Sequence, residues 1–130
     1  MPRLATFDAD GWQLDSAEVH HATNPATFWI PPRARREGLQ PGDGAKLLFR
    51  IAAQQGVERM WVIVRRRAET LYVGVLDSTP LDAEPRVLRR GDTIVFGPEH
   101  VADISRPDRE YVVAHYGEAF FDADCGGADS

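Results

Sequence analysis

The chain has 130 residues, 43% of them hydrophobic, with 15 Lys or Arg against 20 Asp or Glu and a formal net charge of -5. That length suits one domain burying roughly two thirds of its unfolded surface, so neither a metal nor a disulfide is needed to hold it together. The single cysteine, Cys125, excludes an internal disulfide, and no apolar run approaches the roughly 18 residues that span a bilayer.

Asp8 and Asp10 interrupt any signal-peptide core near the start, and the expectation is a cytoplasmic protein without membrane contact. Charge is uneven along the chain. Residues 31–67 hold nine basic and three acidic side chains, whereas residues 1–30, 68–109 and 110–130 are each net acidic. Overall acidity argues against a dedicated nucleic-acid binder, whose domain is normally basic.

From the start, Leu4 to Phe7 reads as a short strand and Gly11-Trp12 as part of an acidic turn. Asp15 or Ser16 is placed to cap a short helix through Ala17, Glu18 and Val19, because either side chain can accept from exposed backbone N–H groups. His20 and His21 precede the turn signal Asn24-Pro25. Phe28, Trp29 and Ile30 form an apolar patch expected to dock on a sheet, at about 1.5–3 kcal/mol for each buried side chain. Trp12 suits a surface position and a core position equally.

Pro32 fits the first position of a helix running over Arg33–Glu37 and ended by Gly38, with Leu39 tying it to the core. Pro41-Gly42-Asp43-Gly44 is a turn, and Lys46 to Ile51 a strand with Leu47, Phe49 and Ile51 on one face. Glu58 to Thr79 carries the densest apolar signal and reads as two antiparallel strands. In its first half both faces are apolar, which predicts a central strand covered on both sides, with Trp61 in the core.

Residues 81–86 are polar, and Thr93 to Phe96 is a further strand stopped by Gly97-Pro98. Glu99 to Ile104 reads as one helical turn, and Tyr111 to Tyr116 as an edge strand or a short helix. From Asp122 onward the acidic, glycine-rich tail is expected to be disordered. Leu39-Gln40-Pro41-Gly42-Asp43 and Leu88-Arg89-Arg90-Gly91-Asp92 each place a Gly-Asp pair before a strand, one turn chemistry used twice.

Catalytic constellations are thin. His20, His21, His100 and His115 show no metal-ligand spacing, and His100 with Asp103 falls short of the three or four ligands that zinc needs. Cys125 lies in the tail between Asp124 and Gly126, without a base beside it. No phosphate-binding loop is present. An enzyme using His100 with Asp103 or Glu99 is the outside reading, and no metal or cofactor is expected.

Binding features are richer. Trp12 and Trp29 sit in the irregular N-terminal part, where an aromatic can anchor a contact. Arg65, Arg66 and Arg67 end a strand and would join Arg33, Arg35 and Arg36 in a basic cluster if the two elements meet. Asp122 and Asp124 supply acidic charge at the far end.

The series Thr27-Phe28-Trp29-Ile30-Pro31, Leu39-Gln40-Pro41-Gly42-Asp43, Lys46-Leu47-Leu48-Phe49, Glu58-Arg59-Met60-Trp61-Val62 and Gly74-Val75-Leu76-Asp77 resembles the YegJ-like bacterial domain of unknown function 2314. Leu88, Gly91-Asp92 and Phe96-Gly97-Pro98-Glu99-His100-Val101 continue the pattern, so the resemblance spans Thr27 to Ile104. Ser78 departs from it, standing where that pattern has asparagine. The resemblance implies a compact β-rich domain and carries no activity or catalytic residues with it.

The expected fold is one α+β domain on a strongly bent antiparallel sheet or small half-open barrel, with one or two short helices. Its expected divisions are an N-terminal extension (1–26) able to pack on the sheet, a β-rich core (27–104), a C-terminal element (105–121) and the tail (122–130). The expected function is a non-enzymatic bacterial protein-binding module, of the immunity type that neutralises a toxin. The alternative is a small-ligand or nucleic-acid binding domain using the arginine cluster.

Overall fold

The computed structural model describes residues 2–52, 56–80 and 87–122. The polar segment 81–86, Asp124, Cys125 and nearly all of the expected tail lie outside these residues.

Six strands form one antiparallel sheet: β1 (Trp12–Leu14), β2 (Gly44–Ile51), β3 (Glu58–Ala68), β4 (Leu71–Leu76), β5 (Thr93–Phe96) and β6 (Asp103–Ser105). The first five follow one another in chain order, and that path curls through 245° into a half-barrel. Four helices accompany it: α1 (Phe7–Asp10), α2 (Ala17–Thr23), α3 (Arg33–Glu37) and α4 (Arg109–Tyr116). The class is α+β as expected, and among the described residues two of the four helices reach seven residues or more.

Strand alternation builds the core directly. Ala45, Leu47, Phe49 and Ile51 of β2 and Met60, Val62 and Val64 of β3 point into the half-barrel, where they meet Tyr72, Leu76, Ile94 and Phe96. Trp12 belongs to this interior, 8% exposed and 5.4 Å from the Phe49 ring. Its place in a paired strand removes it from the surface, which corrects its reading as a contact anchor. The N-terminal stretch is thus part of the sheet.

The outer face is covered in two patches. Ile63 and Val75 pack under Val112 of α4 and Phe120 of the following 3-10 turn. Leu48 packs under Ala17 of α2 and Ala102, with Phe28 and Ile30 alongside. Residues 60, 62, 63 and 64 are all buried, so β3 is central and covered on both sides as its sequence indicates. Gly74 stands opposite Val64 immediately before a register shift. A Cβ there would lie 2.5 Å from the Ile63 carbonyl oxygen, so glycine permits the close approach at which the sheet bends.

The two Gly-Asp turns are the same object twice. Asp43 Oδ2 accepts from Gln40 N–H and Asp92 Oδ2 from Arg89 N–H, each at 2.8 Å. Gly42 N–H donates to Val64 O and Gly91 N–H to Leu76 O, while Val64 and Leu76 return their own N–H groups to Asp43 O and Asp92 O. Both glycines take positive φ, 95° and 96°, which explains their identity. Leu39 and Leu88 seal the two turns to the interior.

Several local expectations change. Leu4–Phe7 is not a strand: Thr6 caps α1 through Ala9 N–H, and Asp10 Oδ2 accepts Thr6 N–H, so short polar side chains satisfy the backbone locally. Pro32 sits one position before α3, as its cap residue. The helical turn expected over 99–104 is confined to Pro98–His100, after which β6 extends along β2. Tyr111–Tyr116 resolves as helix. Ser16 caps α2 by accepting Val19 N–H at 3.1 Å, as expected.

Candidate functional site

The arginines resolve into separate tasks. Arg36 is buried, giving Nε–H to Pro31 O at 2.8 Å and Nη1 to Glu18 Oε2 at 2.6 Å and Pro98 O at 3.0 Å. Arg67 donates to Glu37 O and lies 4.9 Å from the Tyr72 ring, and Arg65 lies 5.2 Å from the Phe120 ring. Helix α3 and the end of β3 therefore meet through Arg67, but Arg36 turns inward. Tyr72, fully buried, completes the junction by donating to Arg36 O and accepting Leu39 N–H. Among the described residues no ion pair involves Arg65 or Arg66.

His100 and Asp103 make separate local hydrogen bonds. The first is buried in the 3-10 turn, where its Nδ1 accepts Gly97 N–H at 3.0 Å, and the second lies on β6 and accepts Ile104 N–H. Burial holds the His100 imidazole below the ordinary histidine range, with Glu99, Glu18 and Asp15 opposing. Glu99 Oε2 is 3.7 Å from its Nε2. No group of three metal-ligating side chains occurs among the described residues.

Trp29 stands apart from the other tryptophans at 64% exposed. Its neighbours are fixed: Phe28 stacks on His20 at 5.2 Å and gives its carbonyl to His21 Nδ1–H at 2.7 Å, while Pro31 O is held by Arg36. Beneath it, His20 Nε2–H meets Asp15 Oδ2 at 2.9 Å, and Arg50 holds both Asp15 oxygens. The Arg50 bonds keep the Asp15 carboxyl below the usual range. Trp29 thus presents an exposed indole on a backbone pinned from both sides. Asp122, the other tentative contact carboxylate, ends the 3-10 turn that follows α4.

A second constellation, unforeseen in the sequence, lies where α4 meets the outer face of the sheet. A cleft of about 370 Å³ is lined by Gly44, Trp61, Ile63, Ser105, Pro107 and Tyr111, with Asp77 and Asp108 among its walls. Trp61 is half-buried here and not in the core, because outward positions on β3 face this gap. Lys46, its partner across the β2–β3 ladder, holds its ammonium 5.3 Å from the Trp61 ring. Ser78 Oγ accepts Trp61 N–H at 2.9 Å and Asp77 N–H donates to Trp61 O, extending the ladder by one step.

Asp77 is fixed from several directions. Its Oδ1 accepts from Tyr116 and Tyr111 hydroxyls and from Arg90 Nη2, and its Oδ2 from Tyr111 at 3.0 Å. Burial pushes the Tyr116 hydroxyl up to about 12 and raises that of Tyr111 as well, so both remain donors near neutral pH. Asp77 follows β4, Arg90 stands in the turn before β5 and both tyrosines lie on α4, and no sequence spacing links them.

Comparison with family models, with curated proteins and with solved structures returned no match. No helix among the described residues is long and apolar enough to cross a membrane.

Proposed function

We propose that this chain is a non-enzymatic bacterial protein-binding module, of the immunity type that neutralises a basic toxin in the cytoplasm. The observation that carries the reading is Trp29. A large aromatic, 64% exposed, on a backbone pinned at Phe28 and Pro31, has little backbone freedom left to lose on contact. Tryptophans in such positions dominate binding energy where they occur. The net charge of -5 would steer the chain toward a basic partner. Kinship with the YegJ-like domain belongs to the same proposal and rests on the residues quoted above. The arginine reading has less support, because Arg65 and Arg67 lay their guanidinium groups on Phe120 and Tyr72.

The test is affinity capture of the tagged chain at low and high salt, paired with Trp29→Ala. One stoichiometric protein retained at high salt, bound roughly tenfold or more weakly by the variant, with unchanged thermal unfolding, is the expected result. Wild-type binding by Trp29→Ala, or recovery of nucleic acid alone, would overturn it.

A further inference from the structure

We infer that the cleft between Trp61 and Tyr111 is a binding site for a planar organic cation, an amidinium or guanidinium group carried on a small apolar body. Its volume of about 370 Å³ sits at the lower end of small-ligand pockets and suits one ring or one long side chain. This inference is independent of Trp29 and its partner.

Three features of the lining select for positive charge. Trp61 and Tyr111 offer π-faces, and a ligand cation would displace the Lys46 ammonium that lies 5.3 Å from the Trp61 ring. Asp108 occupies the cap position of α4, and its carboxylate accepts no cap hydrogen bond. Among the described residues Asp77 Oδ2 accepts only from Tyr111, whereas Oδ1 is shared among three donors. A carboxylate has about four acceptor positions, so Oδ2 retains capacity for one more N–H.

The two carboxylates differ in a useful way. Asp77 is neutralised by Arg90 at 3.2 Å and serves as a rigid acceptor. Asp108 supplies charge that is uncompensated by any ion pair among the described residues. A planar fork of N–H donors suits this arrangement better than a point ammonium, because it can bond one oxygen while its face lies on an aromatic ring. Two sources share this chemistry: a free small molecule, and an arginine side chain presented by a protein.

The test uses three isosteric probes, benzamidinium, benzamide and benzoate, titrated into the full-length protein and read by the shifts of the Trp61 indole N–H and the Tyr111 amide. Benzamidinium is expected to bind roughly fivefold or more tightly than benzamide, with benzoate weakest. Asp108→Asn, an exposed and conservative change, should weaken benzamidinium roughly two- to fivefold, and Trp61→Leu by about threefold or more. Equal binding of all three probes, preference for benzoate, or wild-type affinity in both variants would overturn the inference. A second pair, blocked arginine amide against agmatine, then identifies the source. Tighter binding of the blocked residue assigns the site to a protein side chain, and tighter agmatine binding to a free cation.

Discussion

Asp43 and Asp92 occupy equivalent places in two copies of one turn, each accepting the N–H three residues before it at 2.8 Å. Each also ties its strand to a neighbour: Val64 on β3 in one case, Leu76 on β4 in the other. The copies differ in setting. Asp43 is buried and Asp92 half-exposed.

That difference makes a graded prediction. Asp92→Ala should cost about 1 kcal/mol, the net value of a solvated turn bond. Asp43→Ala should cost about 2 kcal/mol, since it leaves Gln40 N–H unpaired at a part-buried site. Chemical denaturation of the two variants measures the gap, and equal losses would refute the role assigned to burial.

Gly74→Ala tests the bend in the sheet. Its methyl would meet Ile63 O at 2.5 Å and Val62 Cγ1 at 2.7 Å, neither of which can move without disturbing β3. A loss of about 1–3 kcal/mol is expected from overpacking, read as a lower denaturation midpoint. A neutral result would mean that the bend tolerates an ordinary side chain.

Stability should depend on pH through His100. Burial lowers its folded pKa, so below about pH 6.5 the unfolded chain binds a proton that the folded chain refuses. Stability is therefore fully present above that point and falls as pH drops toward the folded pKa. Asp15, whose carboxyl is held down by Arg50, adds a further loss as pH falls below about 4 through its folded value. Thermal midpoints measured from about pH 7 to about pH 5.5 should decline in the wild type and stay nearly flat in His100→Gln.

The parts of the fold legible in the sequence are those governed by local periodicity. The two-faced apolar run of β3 announced a central strand, and Ser16, Gly38 and the Gly-Asp pairs marked ends by their backbone chemistry. What stayed hidden depended on distant partners. Trp12 reads as ambiguous until β1 pairs with β2 and carries it inward. The extended form of Asp103–Ser105 follows from the open edge of β2, about which residues 99–104 contain no information.

The candidate sites divide in the same way. Trp29 was visible as an aromatic in an irregular stretch, but the patch expected to dock on the sheet does so through Phe28 and Ile30, while Trp29 stays 64% exposed. The cleft was not visible, because Asp77 looked like a strand breaker and Tyr111 and Tyr116 like a weak alternation. Only the fold brings Tyr116 and Arg90 onto one carboxylate oxygen. The arginines were over-read for the opposite reason, since a basic cluster in sequence says nothing about which guanidinium groups become packing surfaces.

One edge of β2 is completed by two strands from far-separated parts of the chain, β1 against Phe49–Ile51 and β6 against Gly44–Lys46. On the ribosome the hairpin of β3 and β4 can close early, but half of that edge waits for Ser105 to emerge. At ordinary synthesis rates the delay after Leu76 is on the order of 1.5–6 s. For that interval the nascent chain carries an open row of backbone donors and acceptors beside its most apolar strands, the condition under which neighbouring chains pair wrongly.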